Sequence, residues 1–309
     1  MADECKMAVV DKDFKLTMEE FNLKKAYNLT DDQLNWRRWK LRSMDRPELF
    51  VQEFPINDVE AFLFSGRNYF NTARLKLYLD NCSDPLTVGH LLKKLDRIEF
   101  IPAPTGGVKI YKKPNPGKVY VLGADCAEGI GADFSAITVY DPIDNEVVAI
   151  ARFDIVASEF GREMAKLGQY YNWGVITCEV NNHGLTALTV LKEQEQYPQI
   201  YYRRTVDKAN NLETEQIGWK TTETTRPLLL DKLDKAIRDG LIGIPSKDVI
   251  EELMSFIINK NGKPEAQPGA NDDFVISTAL AFYAAPLARA IRKPEQQETK
   301  LYTNKGRWR

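Results

Sequence analysis

Val119-Tyr120-Val121-Leu122-Gly123-Ala124-Asp125 is the stretch on which the fold reading turns: a short apolar run that closes on a carboxylate. Its length and its β-branched and aromatic content read as a buried strand. Residues 135–140 and 147–153 are two further β-rich runs, and Asp141-Pro142-Ile143-Asp144-Asn145 supplies turn residues between them. Three antiparallel strands are therefore expected. Gly174-Val175-Ile176-Thr177-Cys178-Glu179 repeats the first pattern, a buried strand ending in an acid. Helical spacing covers 160–171 before it and 185–196 after it, and 200–203 reads as another strand. An amphipathic helix is expected over 228–237, with Pro227 in its first turn, and an apolar helix over 273–285. Three strands followed by alternating helices and strands predict an α/β fold, a mixed sheet covered on both faces by helices.

Outward from that core the chain changes character. Residues 29–39 read as a helix capped by Thr30 or Asp31. Residues 54–58 look like a turn into a further helix over 59–64, with Asp58 as cap and Ser65-Gly66 as its end. One more helix is expected over 69–79. Between 102 and 118 the composition shifts to Pro, Gly and Lys, as in a connector followed by an edge hairpin. Three regions follow: a mostly helical segment over 1–100, an α/β domain over 101–288, and a basic, loose tail over 289–309.

Composition narrows the function. The 309 residues are 43% hydrophobic, ordinary for a globular chain. A formal net charge of -2 argues against a surface coated in basic charge, while leaving room for a local nucleic-acid track. No apolar run approaches the ~20 residues of a membrane-spanning helix. The opening Met1-Ala2-Asp3-Glu4 is too acidic for a secretory signal. The four cysteines show no C-x-x-C spacing, which argues against a zinc site and for reduced thiols in a cytoplasm-like compartment. With His90 and His183 the only histidines, His-based triads and metal clusters are nearly excluded. G-x-x-x-x-G-K-[ST], G-x-S-x-G and H-E-x-x-H are all absent.

What remains is acid chemistry. Asp125 and Glu179 end two strands, and Asp272-Asp273 opens the last helix. If the two strands are neighbours, their acids emerge side by side at one sheet end, and the helix could bring a third carboxylate. Such a cluster repels itself unless a divalent cation is present. Hard oxygen donors suit Mg²⁺ or Mn²⁺, and two ions about 3.5–4 Å apart can hydrolyse a phosphodiester. The plainer reading makes each strand-end Asp a turn former and Asp272 or Asp273 an N-cap. Asp133, in the loop after Asp125, either approaches the site or caps its turn. In Asn181-Asn182-His183-Gly184, Asn182 and Gly184 suit a sharp strand-to-helix turn, whereas Asn181 and His183 could also touch phosphate or a metal-bound water. Cys126 and Cys178 fall on the opposite face of a pleated strand from their acidic neighbours and read as small core residues.

A DNA track is sought in the segment 203–220. Arg203, Arg204, Lys208 and Lys220, with Asn210, Asn211, Gln216 and Trp219, suit an exposed hairpin whose cations pair with phosphates. Glu213 and Glu215 dilute that charge, so a solvated loop fits too.

Taken in order, several segments resemble the ribonuclease H-like nuclease of tailed-phage terminase large subunits. They are Gly123 to Gly129 with Asp133 to Ala136, Glu179 to Gly184, Gly218 to Thr222 with Thr225-Arg226-Pro227, and Asn271-Asp272-Asp273. Leu29 to Trp39, Phe50 to Pro55, Ala61-Phe62 and Ser65-Gly66 resemble the segment that joins that family's ATPase to its nuclease. The resemblance implies Asp125, Glu179, Asp272 and Asp273 as catalytic metal ligands and two Mg²⁺ or Mn²⁺ ions as cofactors. It implies cleavage of concatemeric double-stranded viral DNA to a 3′-hydroxyl and a 5′-phosphate, in the host cytoplasm at the procapsid portal. Its implied partners are double-stranded DNA, the terminase ATPase domain, the portal protein and the small terminase subunit, with no membrane. The ATPase core itself has no counterpart here.

Two rivals share parts of the pattern. An actin- or sugar-kinase-like ATPase also opens with a strand, an Asp and a Gly-rich turn, but needs a second phosphate loop and an adenosine motif that this sequence lacks. A non-catalytic DNA-binding or docking module with the same fold would bind DNA without cutting it.

Overall fold

Two reciprocal caps start the first two helices among the described residues. Thr17 accepts from the Glu20 backbone while Glu20 reaches back to Thr17, starting α1 (Met18–Tyr27); Thr30 and Gln33 do the same for α2 (Asp31–Ser43). Asn71 caps α3 (Thr72–Asp80). Strands β1 (Thr87–Lys94), β2 (Arg97–Pro102), β3 (Val108–Ile110), β4 (Val121–Asp125), β5 (Ser135–Asp141) and β6 (Glu146–Phe153) come next. They are followed by α4 (Ala157–Tyr170), β7 (Val175–Cys178), α5 (Asn182–Thr189) with a π turn over Val190–Gln194, and the hairpin β8 (Tyr202–Asp207) and β9 (Leu212–Ile217). The remainder is α6 (Thr225–Asp239), α7 (Lys247–Ser255), a small ladder of β10 (Phe256–Ile258) with β11 (Pro264–Ala266), and α8 (Asp273–Ala290). This computed structural model describes residues 5–9, 14–44, 50, 54–56, 68–95, 97–127, 134–207 and 212–290. The helix expected over 59–64 and most of the tail lie outside the described residues.

The chain divides into two units: Met1–Asp84 with Leu230–Val275, and Pro85–Leu229 with Ile276–Arg309. This division differs from the boundary expected at residue 100. The β1–β2 hairpin already belongs to the sheet, because β1 pairs with both β2 and β3. The hairpin thus precedes the Pro- and Gly-rich connector at 102–107 instead of following it.

In the first unit, Leu29, Leu34 and Ile56 form a small core with Leu16 and Leu23. Arg38 clamps Glu20 through both carboxylate oxygens at 2.5 Å and lies over the Phe14 ring. That guanidinium holds the Glu20 carboxyl down at about 2.

The second unit is built on one sheet with strand order β2-β1-β3-β6-β5-β4-β7. Every neighbouring pair is antiparallel except β4 and β7, which run parallel. The three expected antiparallel strands are present as β4, β5 and β6. Successive side chains on a strand point to opposite faces, and the two faces of this sheet are filled differently. Leu122, Ala124, Ile137, Val139, Ile176 and Cys178 join Phe160, Met164 and Leu167 of α4 and Ala187 and Leu188 of α5 in one large core. Each of the Leu, Ile, Val, Phe and Met side chains among them contributes roughly 1.5–3 kcal/mol when fully buried. On the other face Val121 and Val175 meet Ala284 and Ala288 of α8.

Gly123 brings α8 close. A Cβ at this position would stand 1.9 Å from the Ser277 carbonyl oxygen and 2.4 Å from the Ala281 nitrogen, so only glycine lets the helix backbone lie directly on β4. No helix among the described residues is long and apolar enough to cross a membrane.

Candidate metal centre

The parallel register pairs Val121 with Val175, Leu122 with Ile176, Gly123 with Thr177 and Ala124 with Cys178. The Glu179 N–H then donates to the Ala124 carbonyl at 3.2 Å, so the next step of the ladder sets Asp125 beside Glu179. Both follow the parity of Val121 and Val175 and therefore face the side on which α8 lies. Both are half-buried. The sequence expectation that these acids share one sheet end is met.

The thiols between them report the same geometry. Burial, then Cys126, Asp125 and Glu179, push the Cys178 thiol well above its ordinary range. Burial pushes Cys126 up to about 12, opposed by a hydrogen bond from Ser135. Neither cysteine ionises near neutral pH, and both sit in the core opposite the carboxylates, as their position in the pleat requires.

Asp272 and Asp273 stand at the start of α8. Asp273 is 8% exposed. The N–H of the next residue, Phe274, donates to Glu252 Oε2 at 2.7 Å. No group of three or more His, Cys, Asp or Glu side chains among the described residues is gathered closely enough to hold a metal ion. Asp133 lies outside the described residues. The donor set that the sheet itself fixes is thus a pair of carboxylates, hard oxygen donors of the kind Mg²⁺ and Mn²⁺ accept.

The turn after Glu179 is held by Asn181. Its Oδ1 accepts from the Gly184 N–H at 2.6 Å, capping α5, and its Nδ2 donates to the Cys126 carbonyl at 3.2 Å. One amide therefore ties the end of β4 to the start of α5. Gly184 fits because a Cβ there would stand 1.9 Å from the Glu179 carbonyl oxygen. The turn-forming reading of Gly184 holds, and Asn181 joins it as the cap. His183 is half-buried on the first turn of α5.

The hairpin expected over 203–220 is real, but its residues divide. Arg203 donates to the Ile217 and Gly218 carbonyls at 3.0 and 3.1 Å and to Gln216, bracing the hairpin root. Arg204 is exposed beside Glu215 at 3.7 Å, and Lys220 is exposed. Lys208, Asn210 and Asn211 lie outside the described residues. Trp219 is not part of an exposed surface: it is 5% exposed, forms a parallel bridge with Glu179, and its ring meets Tyr283 at 4.5 Å. Burial here takes the large apolar indole out of water, and the Gly-Trp step after β9 hydrogen-bonds along β7.

Sequence reading also missed a buried polar layer. Thr138 Oγ1 hydrogen-bonds Ser277 Oγ at 2.9 Å and Thr278 Oγ1 at 3.0 Å, with all three residues at most 1% exposed. The signal was present as hydroxyl residues inside the apolar runs Ala136-Ile137-Thr138-Val139 and Val275-Ile276-Ser277-Thr278-Ala279.

No protein-family model matches the chain. Solved structures of large terminase nuclease domains are similar to it. The magnesium-bound large terminase nuclease of thermophilic phage G20c aligns over 68% of this chain and 96% of its own, at 16% identity and a TM-score of 0.47. The large terminase nuclease domain of Thermus phage P74-26 aligns over 68% and 94%, at 16% identity and a TM-score of 0.46. The manganese-bound nuclease domain of the bacteriophage SPP1 large terminase aligns over 54% and 87%, at 16% identity and a TM-score of 0.34. The sheet of this chain is mixed and has helices packed against both of its faces.

Proposed function

We propose that this chain is a Mg²⁺- or Mn²⁺-dependent endonuclease that cuts concatemeric double-stranded viral DNA during packaging, the nuclease part of a terminase large subunit. The observation that carries this reading is the alignment of Asp125 and Glu179 at the ends of parallel neighbours β4 and β7. Two neighbouring carboxylates repel each other, and a divalent cation shared between them would relieve that repulsion.

The family resemblance adds the Asp272-Asp273 pair to these two acids as ligands, and in this reading the four would hold two ions.

When bound, those ions would supply Lewis-acid stabilisation and a more acidic water for phosphodiester hydrolysis. The protein's own part is positional. Asn181 and Gly184 fix the turn that presents Glu179, while the buried Trp219 backs it from the next strand. Arg204 and Lys220, with Lys208, would neutralise DNA phosphates along the hairpin, a contact that weakens as salt rises. Arg203, spent on main-chain carbonyls, would stiffen that hairpin. The portal, the small terminase subunit and the ATPase domain enter as partners through the family resemblance, with the portal in the host cytoplasm as the place of action.

The test is digestion of supercoiled plasmid with Mn²⁺, with Mg²⁺ and with EDTA, using the unsubstituted chain and Asp125→Ala. Metal-dependent nicking and linearisation that vanish in the variant are expected. Cutting that persists through both chelation and the substitution would end the proposal.

A further inference from the structure

The row that carries Glu179 and Asp125 continues across the sheet beyond β4. In the antiparallel register Asp125 pairs with Ala136 of β5, and Ala136 in turn pairs with Arg152 of β6. Direct cross-strand partners project to the same side of a sheet, so Arg152 shares the face of the two acids. Neighbouring strands lie about 4.8 Å apart, which sets the backbones of Asp125 and Arg152 roughly 10 Å from each other. Ala136 stands between them with only a methyl group. Two residues back along β6, Ile150 is fully buried on this same face, whereas Arg152 is half-buried. The Arg152 guanidinium lies over the Phe134 ring at 5.5 Å, and that ring is 40% exposed. At Arg152 the face passes from packed core to open surface.

We propose that Arg152, steadied by Phe134, is a phosphodiester-binding site that grips a DNA phosphate next to the one to be cut. The inference rests on the nuclease reading for its ligand. It extends that reading to the β5 side of the acids, since the root of the β8–β9 hairpin adjoins Glu179 on the β7 side through Trp219. A DNA strand brought up to two carboxylates is repelled by them, and a cation on the same row offsets part of that repulsion where the strand arrives. A guanidinium has five N–H donors in a fixed fork, enough to serve a neighbouring protein group and a phosphate together. Stacking on the ring occupies its flat face and leaves the edge, where the N–H groups point, for a bidentate phosphate contact. The ring also limits the rotamers of the side chain, so less freedom is left to lose on binding.

The experiment measures DNA binding apart from metal and cutting, by fluorescence anisotropy of a labelled duplex in EDTA at several KCl concentrations. It compares the unsubstituted chain with Arg152→Ala, Arg152→Gln, Arg152→Lys and Phe134→Leu. Thermal melts, and Mn²⁺ titrations followed by electron paramagnetic resonance, are recorded alongside. Arg152→Ala and Arg152→Gln are expected to bind the duplex roughly tenfold more weakly. Their plots of log affinity against log salt should be shallower by about one. Arg152→Lys keeps the charge but not the fork, and is expected to retain the slope with a smaller loss of affinity. Phe134→Leu is expected to keep the slope and weaken binding roughly two- to fivefold. Each variant is expected to melt cooperatively and to take up Mn²⁺ no less tightly than the unsubstituted chain. An unchanged slope in Arg152→Ala and Arg152→Gln overturns the inference, as does an equal loss of slope in Arg152→Lys. If Arg152→Ala does not fold, the Gln and Lys variants, which differ in charge, decide by the same rule. If the unsubstituted chain binds DNA through Arg152 yet takes up no Mn²⁺, the phosphate site stands and the nuclease reading falls. If metal-dependent cutting persists in Arg152→Ala with unchanged DNA affinity, that reading stands and the phosphate site falls.

Discussion

The two faces of the β4–β7 pair are made from alternate residues of the same two strands, and they serve opposite ends. Leu122, Ala124, Ile176 and Cys178 enter a continuous apolar core with α4 and α5, where close packing is the only requirement. Gly123, Asp125, Thr177 and Glu179 face α8, with a missing side chain, one hydroxyl-lined row and two acids. One face supplies stability that tolerates small adjustments. The other accepts a poorer hydrophobic return and gains exact placement of charge. Stability and the proposed chemistry are thus separated by the two-residue period of a strand, at a distance of one peptide.

That separation can be broken experimentally. Asp125→Ala should remove more than the roughly 100-fold that outer-shell losses reach from metal-dependent plasmid cutting. Its melting temperature should stay level or rise, because a like-charge neighbour of Glu179 is gone; a large fall in melting temperature would show the acid to be structural. Ile176→Ala, on the opposite face, should cost about 2–5 kcal/mol in urea unfolding, and its specific activity per folded molecule should survive. Gly123→Ala should do both: overpacking against the Ser277 carbonyl costs about 1–3 kcal/mol, and any tilt of α8 should appear as weaker Mn²⁺ uptake. Equal effects of Ile176→Ala and Gly123→Ala on metal affinity would erase the distinction between faces.

A fourth prediction concerns a carboxylate whose cation is built into the protein. Glu20 is held at about 2 by Arg38, so its folded-state value lies below the ordinary carboxylate value of 4.5. Its contribution is therefore complete above pH 4.5 and is lost as pH falls toward 2. Arg38→Ala should remove on the order of 2 kcal/mol at neutral pH and flatten the acid limb of a pH-stability curve measured by α1–α2 helicity. An acid limb unchanged in Arg38→Ala would dissociate the pair from stability. Plasmid cutting, which the proposed function assigns to other acids, should be insensitive to the change.

Much of this arrangement was legible before the structure. Strands β4 and β7 announced themselves because both are buried on both faces, which leaves a nearly unbroken apolar run before each terminal acid. The β1–β2 hairpin did not. Within β1 only Gly89 and Leu91 are buried while His90, Leu92 and Lys93 are exposed, so the strand carries no apolar continuity. Helix α7 was passed over although Ser246 caps it and Val249, Ile250, Leu253 and Met254 hold helical spacing, a signal short enough to be lost beside its longer neighbours. For the site, sequence pointed to the acids but could not make β4 and β7 adjacent, since adjacency is a property of topology. Nor could it show that Trp219 turns inward or that Arg203 is occupied with its own hairpin.

The parallel pairing of β4 with β7 has a last consequence for timing. Parallel neighbours cannot be joined by a tight turn, so the chain must travel out through β5, β6 and α4 before Glu179 can return to Asp125. During synthesis the first acid leaves the ribosome well ahead of the second, and the first turn of α8 emerges later still. On the proposed reading, a nascent or half-assembled molecule would hold separated acids and no shared cation, and cutting would wait until the most non-local contacts have closed.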